Sequence, residues 1–310
     1  MSIYITLEET ELKNFLVLNG IEGNVSYSPI SDGVSNSTVL IQNGDKNYVL
    51  TIFQKTADEK INFLKQLYNI LKVNNFCSPK VLNPGKATQK IQNKPVLLTE
   101  FLSGSLLKNP YPEDLKTLGM KIAEMHLITQ KLNLNSPNPA LEVSCEELLN
   151  ECVQKKIFNA NLIKIIKNDL KNIKQTIPEN LPKGIVHGDM VKDNVFFKDH
   201  QISGVVGFSQ ASLAPLVFDL AVVINDWCFD KQAELNIGLV RSLISGYNQN
   251  KTLTPQEYKN LPIMCRIASL RTLSKMHTVE NPEKYTKIMS FHRNVKNPGE
   301  YGIELKSKDK

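Results

Sequence analysis

Two oxygen-bearing side chains five residues apart carry the chemistry of this chain: Asp189 and Asn194, in Ile185-Val-His187-Gly-Asp189-Met-Val-Lys192-Asp-Asn194-Val-Phe-Phe197. Phosphoryl transfer from a nucleotide to an alcohol needs a group that receives the hydroxyl proton. It also needs oxygen ligands that hold a divalent ion against the phosphates. Asp189 suits the first task and the neutral amide oxygen of Asn194 the second. His187 and Lys192 join the catalytic group, His187 by hydrogen-bonding across the loop and Lys192 by offsetting phosphate charge. Asp219, in Phe218-Asp-Leu-Ala221, would orient the loop through His187 or backbone amides, which is compatible with a helix N-cap. The competing reading is a polar loop whose Asp and Asn satisfy backbone groups. A second carboxylate would complete the metal site after the next strand, but Ser203-Gly-Val-Val-Gly207-Phe208 has a glycine there.

These residues need a frame. From Gly23 to about Phe101 the pattern is strand and turn. Val39–Gln42 and Tyr48–Phe53 flank the turn-forming Asn43-Gly-Asp-Lys-Asn47, which reads as a hairpin. A helix follows, with Ile61, Leu64, Leu67 or Tyr68, and Leu71 at helical spacing and an acidic start at Asp58-Glu59. Pro95–Leu102 resumes strand character and ends at Ser103-Gly104, read as a hinge. Beyond it, helices are expected over Pro112–Leu132, Glu146–Val153 and Asn161–Ile177, and again from Phe218 onward. The exception is Ile185–Phe208, where two short strands flank Lys198-Asp-His-Gln201. The expected fold is α+β: a small antiparallel β-rich lobe, residues 1–101, and a larger, mainly helical catalytic lobe, residues 102–310.

In the small lobe, Ser31-Asp-Gly33-Val-Ser-Asn36-Ser37 could present backbone amides to phosphate oxygens, with Asn36 and Ser37 adding side-chain donors; a plain β-turn fits equally. The second hairpin strand of a kinase carries a phosphate-binding lysine. Here Thr51 stands at that place and Lys55 four residues later.

On these residues the chain resembles a homoserine kinase of the aminoglycoside-phosphotransferase-like type, built on a protein-kinase-like fold. The likeness covers nearly the whole length. It rests on Gly33-Val-Ser-Asn-Ser37, Tyr48-Val-Leu-Thr-Ile-Phe53, Pro95-Val-Leu-Leu98 and His187-Gly-Asp-Met-Val-Lys-Asp-Asn194. It rests further on Phe218-Asp-Leu-Ala-Val-Val-Ile-Asn-Asp-Trp-Cys-Phe-Asp230 and Asn297-Pro-Gly-Glu-Tyr301. The resemblance implies transfer of the ATP γ-phosphate, with Mg2+, to the hydroxyl of L-homoserine, giving O-phospho-L-homoserine on the way to threonine. It makes Asp189 the base, Asn194 a magnesium ligand, and Glu100 with its neighbours an adenine-facing hinge acting through backbone groups. Thr51 agrees with that family. Three positions depart from it: Gly188 for a common Ala, a mild change; Lys192 for an Arg, losing bidentate geometry; and Gly207 for the Asp that coordinates magnesium.

A zwitterionic substrate calls for an acid and a cation, and Asp226 with Arg266 or Arg271 are the candidates. Gly207 also suits a catalytically inactive, kinase-like binding protein. A kinase for another small alcohol, such as an amino alcohol or aminoglycoside, is the third reading.

With 310 residues, 41% hydrophobic, the chain can bury a substantial core. A net charge of +6, spread along the chain with a small excess at Lys306, Lys308 and Lys310, gives no nucleic-acid footprint. No apolar run is long enough for a membrane span. Met1-Ser-Ile-Tyr-Ile-Thr6 lacks the charged start of a secretory signal. Five scattered cysteines suggest reduced thiols. The expectation is a cytoplasmic protein with a small-molecule substrate; the oligomeric state is not legible.

Overall fold

The computed structural model describes residues 8–31, 36–54, 56–132, 134, 147, 150, 153–154, 159–176, 180–275 and 282–303. Its contacts divide the chain into two units: Met1–Gly104 with Ser203–Val206, and Ser105–Ile202 with Gly207–Lys310.

Among the described residues, the first unit is an antiparallel five-stranded sheet with two helices. Its strands are β1 (Val25–Ser31), β2 (Asn36–Asn43), β3 (Lys46–Phe53), β4 (Lys90–Ile91) and β5 (Lys94–Glu100), in the order β1-β2-β3-β5-β4. The expected hairpin is β2–β3, paired from Asn36↔Phe53 to Asn43↔Lys46. Gly44, at φ +57°, supplies the left-handed residue its turn needs. Alternation puts Val39, Ile41, Leu50, Ile52, Val96 and Leu98 on one face, where Leu12, Phe15 and Leu16 of α1 (Glu9–Leu18) cover them. Helix α2 (Asp58–Val73) buries the five apolar positions expected of it and packs against β5.

The second unit is mainly helical. Its helices are α3 (Pro112–Thr129), α4 (Ala160–Thr176), α5 (Val217–Trp227), α6 (Ile237–Asn250), α7 (Pro255–Lys275) and α8 (Pro282–Asn294). Pro112 opens α3 at a position whose N–H would be orphaned anyway, and Asp114 Oδ2 accepts the Tyr111 N–H at 2.8 Å. The helix stops at Thr129, short of Leu132. Leu127 is only partly buried, while His126 is fully enclosed. The segment Glu146–Val153 falls largely outside the described residues.

Helices α3 and α6 touch backbone to backbone. A Cβ on Gly119 would lie 2.1 Å from the Leu243 carbonyl oxygen, and one on Gly246 2.0 Å from that of Lys116. Strand β7 (Lys183–Val186) pairs with β10 (Ser212–Pro215), and β6 (Ser105–Leu106) with β8 (Val195–Lys198). Between β8 and β9 (Gln201–Val205), Asp199 (φ +50°) and His200 (φ +58°) make a two-residue turn with both positions left-handed. That is the twist a tight hairpin requires.

Candidate active site

Strand β7 ends at Val186 and delivers His187-Gly188-Asp189 into a loop that a 3₁₀ turn, Lys192–Asn194, folds back on itself. That turn explains the five-residue spacing. It carries the Asn194 side chain back to donate from Nδ2 to the Asp189 carbonyl oxygen at 2.7 Å. The Val191 N–H also donates to that oxygen, at 2.8 Å. The backbone of Asp189 and the amide of Asn194 are thus one hydrogen-bonded unit.

Helix α5 holds this loop at three points. Asp219, fully buried, accepts the His187 N–H at 2.8 Å and the Gly188 N–H at 2.7 Å. Asp226 Oδ2 accepts the Lys192 N–H at 2.8 Å, and Trp227 Nε1 donates to the Met190 carbonyl at 3.0 Å. Asp219 lies on the first turn of α5, but the amides it satisfies belong to the loop. Burial raises its carboxyl. The His126 hydrogen bond, the fields of His126 and His187, and the Gly188 N–H outweigh that and hold it below the usual range. Its partner His126 stands 3.0 Å away through Nε2, with Nδ1 at 2.9 Å from the Tyr247 hydroxyl. The close α3–α6 crossing brings that histidine and tyrosine together.

His187 is buried, its Nδ1 accepts the Asp189 N–H at 3.1 Å, and its ring lies 4.4 Å from that of Phe208. It is placed to support the loop, not to move a proton at its mouth. Gly188 is a correction. Its φ is +73°, and a Cβ would lie 2.7 Å from the Gln210 carbonyl oxygen, so an alanine here is not the mild change expected. Gly207 is also left-handed, at φ +83°, and a Cβ there would meet Asn194 Oδ1 at 2.5 Å. The Asn194 amide therefore fills the space where an aspartate side chain would begin.

The substrate candidates separate. Arg271 stays near the loop: Nη2 donates to Gln210 Oε1 at 2.7 Å, and its guanidinium lies 5.7 Å from the centre of the Phe218 ring. Arg266 does not. Its Nη2 pairs with Asp169 of α4, because that buried carboxylate draws it to the opposite partner. Asp226 is half-buried. Burial pushes its carboxyl up, against the Lys192 N–H bond and the charges of Lys192 and Lys284. Lys284 of α8 is the cation that spacing did not single out. Burial lowers its ammonium, and the fields of Asp226 and Asp230 pull it back up. Nothing local marks it, since it reaches Asp226 only through the fold.

Of the nucleotide candidates, Gly33 and Lys55 lie outside the described residues. Asn36, Ser37, Thr51 and Glu100 lie on the first unit's sheet. Pleat parity puts Ser37 on the α1-covered face, where its Oγ accepts from Gln54 Nε2 at 3.2 Å, and Thr51 on the other face. Their side chains therefore do not share a target. The Gln54 Oε1 in turn accepts from Lys94 Nζ at 2.6 Å, a cation that the sequence analysis passed over. Glu100 closes strand β5. Its N–H already donates to the Lys80 carbonyl at 2.8 Å, that of Phe101 to Asn47 at 3.0 Å, and its carboxylate pairs with Lys80 Nζ at 3.1 Å.

Residues 26–251 match the model of the phosphotransferase enzyme family. The chain belongs to that family. Homoserine kinase of Rhizobium meliloti (strain 1021) is 30% identical over 320 residues, covering 98% of this chain and 98% of that one. Homoserine kinase of Agrobacterium fabrum is 28% identical over 320 residues, covering 98% and 99%. Among solved structures, an amicoumacin kinase in complex with AMP-PNP, Ca2+ and its antibiotic superposes with a TM-score of 0.68 at 14% identity, covering 92% of this chain and 95% of that one. A Plasmodium vivax ethanolamine kinase gives 0.68 at 14% identity, covering 95% and 92%. These two likenesses establish the kinase-like α+β fold. In this phosphotransferase, Asp189 and Asn194 share one hydrogen-bonded loop. No helix among the described residues is long and apolar enough to cross a membrane.

Proposed function

We propose that this phosphotransferase moves the γ-phosphate of ATP to the side-chain hydroxyl of L-homoserine, giving O-phospho-L-homoserine. The observation that carries the reading is the Asp189–Asn194 loop, held by Asp219, Asp226 and Trp227, in a chain matched end to end by homoserine kinases. Asp189 receives the hydroxyl proton as the new P–O bond forms, and Lys192 offsets charge on the transferring group. Asn36 and Thr51, which share the sheet face opposite α1, would donate to the nucleotide from the first unit.

A magnesium ion would neutralise phosphate charge in such a reaction. The residues present fit it incompletely. Asn194 Oδ1 is a neutral oxygen, residue 207 offers none, and no group of three or more His, Cys, Asp or Glu among the described residues could hold an ion. The same observation favours a second reading, a nucleotide-binding protein without turnover. A coupled assay of ADP release with L-homoserine decides between them. Turnover removes the second reading; nucleotide binding without turnover, for homoserine and for amino alcohols and aminoglycosides alike, removes the first.

For the substrate's charged ends we propose Asp226 toward the ammonium and Lys284, in place of Arg266, toward the carboxylate. Lys284→Ala should raise the KM for L-homoserine by about tenfold with kcat little changed, as loss of one charge-assisted contact predicts. An unchanged KM removes Lys284 from the site.

A further inference from the structure

The second unit has another opening, unrelated to the catalytic loop. A cavity of about 330 Å³ lies among α7, α8 and the 3₁₀ turn at Pro298–Tyr301. None of the loop residues His187–Asn194 lines it. Four cations do (Lys259, Arg266, Arg293 and Lys296), and no Asp or Glu does. Behind the wall, fully buried Asp169 binds both guanidiniums, Arg266 through Nη2 and Arg293 through Nη2 and Nε. At the rim, Glu300 Oε1 accepts the N–H groups of Lys296 and Asn297. Four positive charges thus face two carboxylates, leaving two unmatched.

One further feature points to a ligand. Arg266 Nε is shut off from solvent with no hydrogen-bond partner among the described residues, a donor that a purely structural Arg–Asp–Arg clamp would not leave unsatisfied. His292, in the same wall, cannot add a charge. Burial and the neighbouring Arg266 hold its pKa down to about 3, and both ring nitrogens are engaged, Nε2 with Asn225 Oδ1 at 2.8 Å and Nδ1 with the Tyr301 hydroxyl at 2.7 Å. Planar guanidiniums recognise oxyanions through paired N–H donors. A surplus of two charges suits a dianion better than a single carboxylate. Pro255, Tyr258, Pro262, Ile263, Val295 and Pro298 supply an apolar wall for a small organic group.

We infer that this cavity binds a phosphoryl dianion, free phosphate or a small phosphate monoester, at a site separate from catalysis. The test is calorimetric titration of the full chain, without nucleotide, using inorganic phosphate, O-phosphoserine and succinate. Phosphoryl probes should bind and succinate should bind at least tenfold more weakly. Equal affinity for phosphate and O-phosphoserine identifies the free ion as sufficient, whereas tighter O-phosphoserine identifies the ester. The paired substitution Lys259→Ala with Lys296→Ala, at exposed positions that leave the fold intact, should weaken binding by about tenfold. Lys192→Ala, in the catalytic loop, should leave it unchanged. The inference is overturned if no probe binds, if succinate matches phosphate, or if Lys192→Ala abolishes binding while the paired lysine variant retains it.

Discussion

The two glycines that flank the candidate chemistry face opposite constraints. Gly188 and Gly207 are both left-handed, at φ +73° and +83°. The first is walled by backbone, the Gln210 carbonyl, and the second by a side-chain amide, that of Asn194. A carbonyl within a 3₁₀ turn beside β10 cannot yield without moving the strand pair under the loop. An amide can rotate, at the loss of its bond to the Asp189 carbonyl. The Gly188 side of the loop is therefore rigidly specified and the Gly207 side is adaptable. A side chain placed at 207 would thus meet one movable obstacle in an otherwise fixed frame.

The Gly188 side gives the largest effect. Asp189→Ala should lower kcat for phosphoryl transfer by about 10²- to 10⁴-fold, the usual worth of a positioned proton acceptor. Thermal unfolding should be nearly unchanged, and undiminished turnover would remove Asp189 from the reaction. Gly188→Ala should destabilise the protein by about 3 kcal/mol, combining left-handed strain with a contact that only backbone movement relieves. A urea melt like that of the parent chain would show that Gln210 gives way easily and would erase the contrast.

Helix α8, whose His292 donates to Asn225 of α5, has its own signature in pH. The unfolded chain takes up a proton on a histidine near pH 6.5, while folded His292 stays neutral down to about 3. Stability is therefore lost as pH falls through that window, by about 2 kcal/mol at pH 5 relative to pH 7. Urea unfolding at the two pH values should register this, and His292→Gln should lose that much less between them. The smallest effect is at the adaptable side. Gly207→Asp should cost about 1 kcal/mol of stability, because aspartate tolerates left-handed backbone better than most residues. Nucleotide binding should become tighter in the presence of magnesium if Asn194 swings aside. A loss as large as that of Gly188→Ala would equate the two positions.

Much of this molecule was legible along the chain wherever the signal is local. The apolar period of α2, the Gly44 turn, the Asp189–Asn194 spacing and the turn at Asp199-His200 involve neighbours within a few residues, where backbone geometry alone decides the outcome. The run Asp219…Asn225-Asp226-Trp227 was visible as a motif, but its division of labour was not. Asp219, Asp226 and Trp227 turn to the loop, whereas Asn225 donates to the Cys265 carbonyl at 2.7 Å and to Ser269 Oγ at 2.9 Å, and accepts from His292.

What the sequence determined by itself was the kind of chemistry and the class of fold, because both depend on residue type at short spacing. The tertiary structure decided partnership. Arg266 pairs with Asp169 of α4, and Lys284 of α8, more than fifty residues further along the chain, lies in the field of Asp226. His126 became the support of Asp219 because two glycines let α3 and α6 meet. Charges and hydrogen-bond donors choose partners by distance in space and by burial, and neither is written in the order of residues.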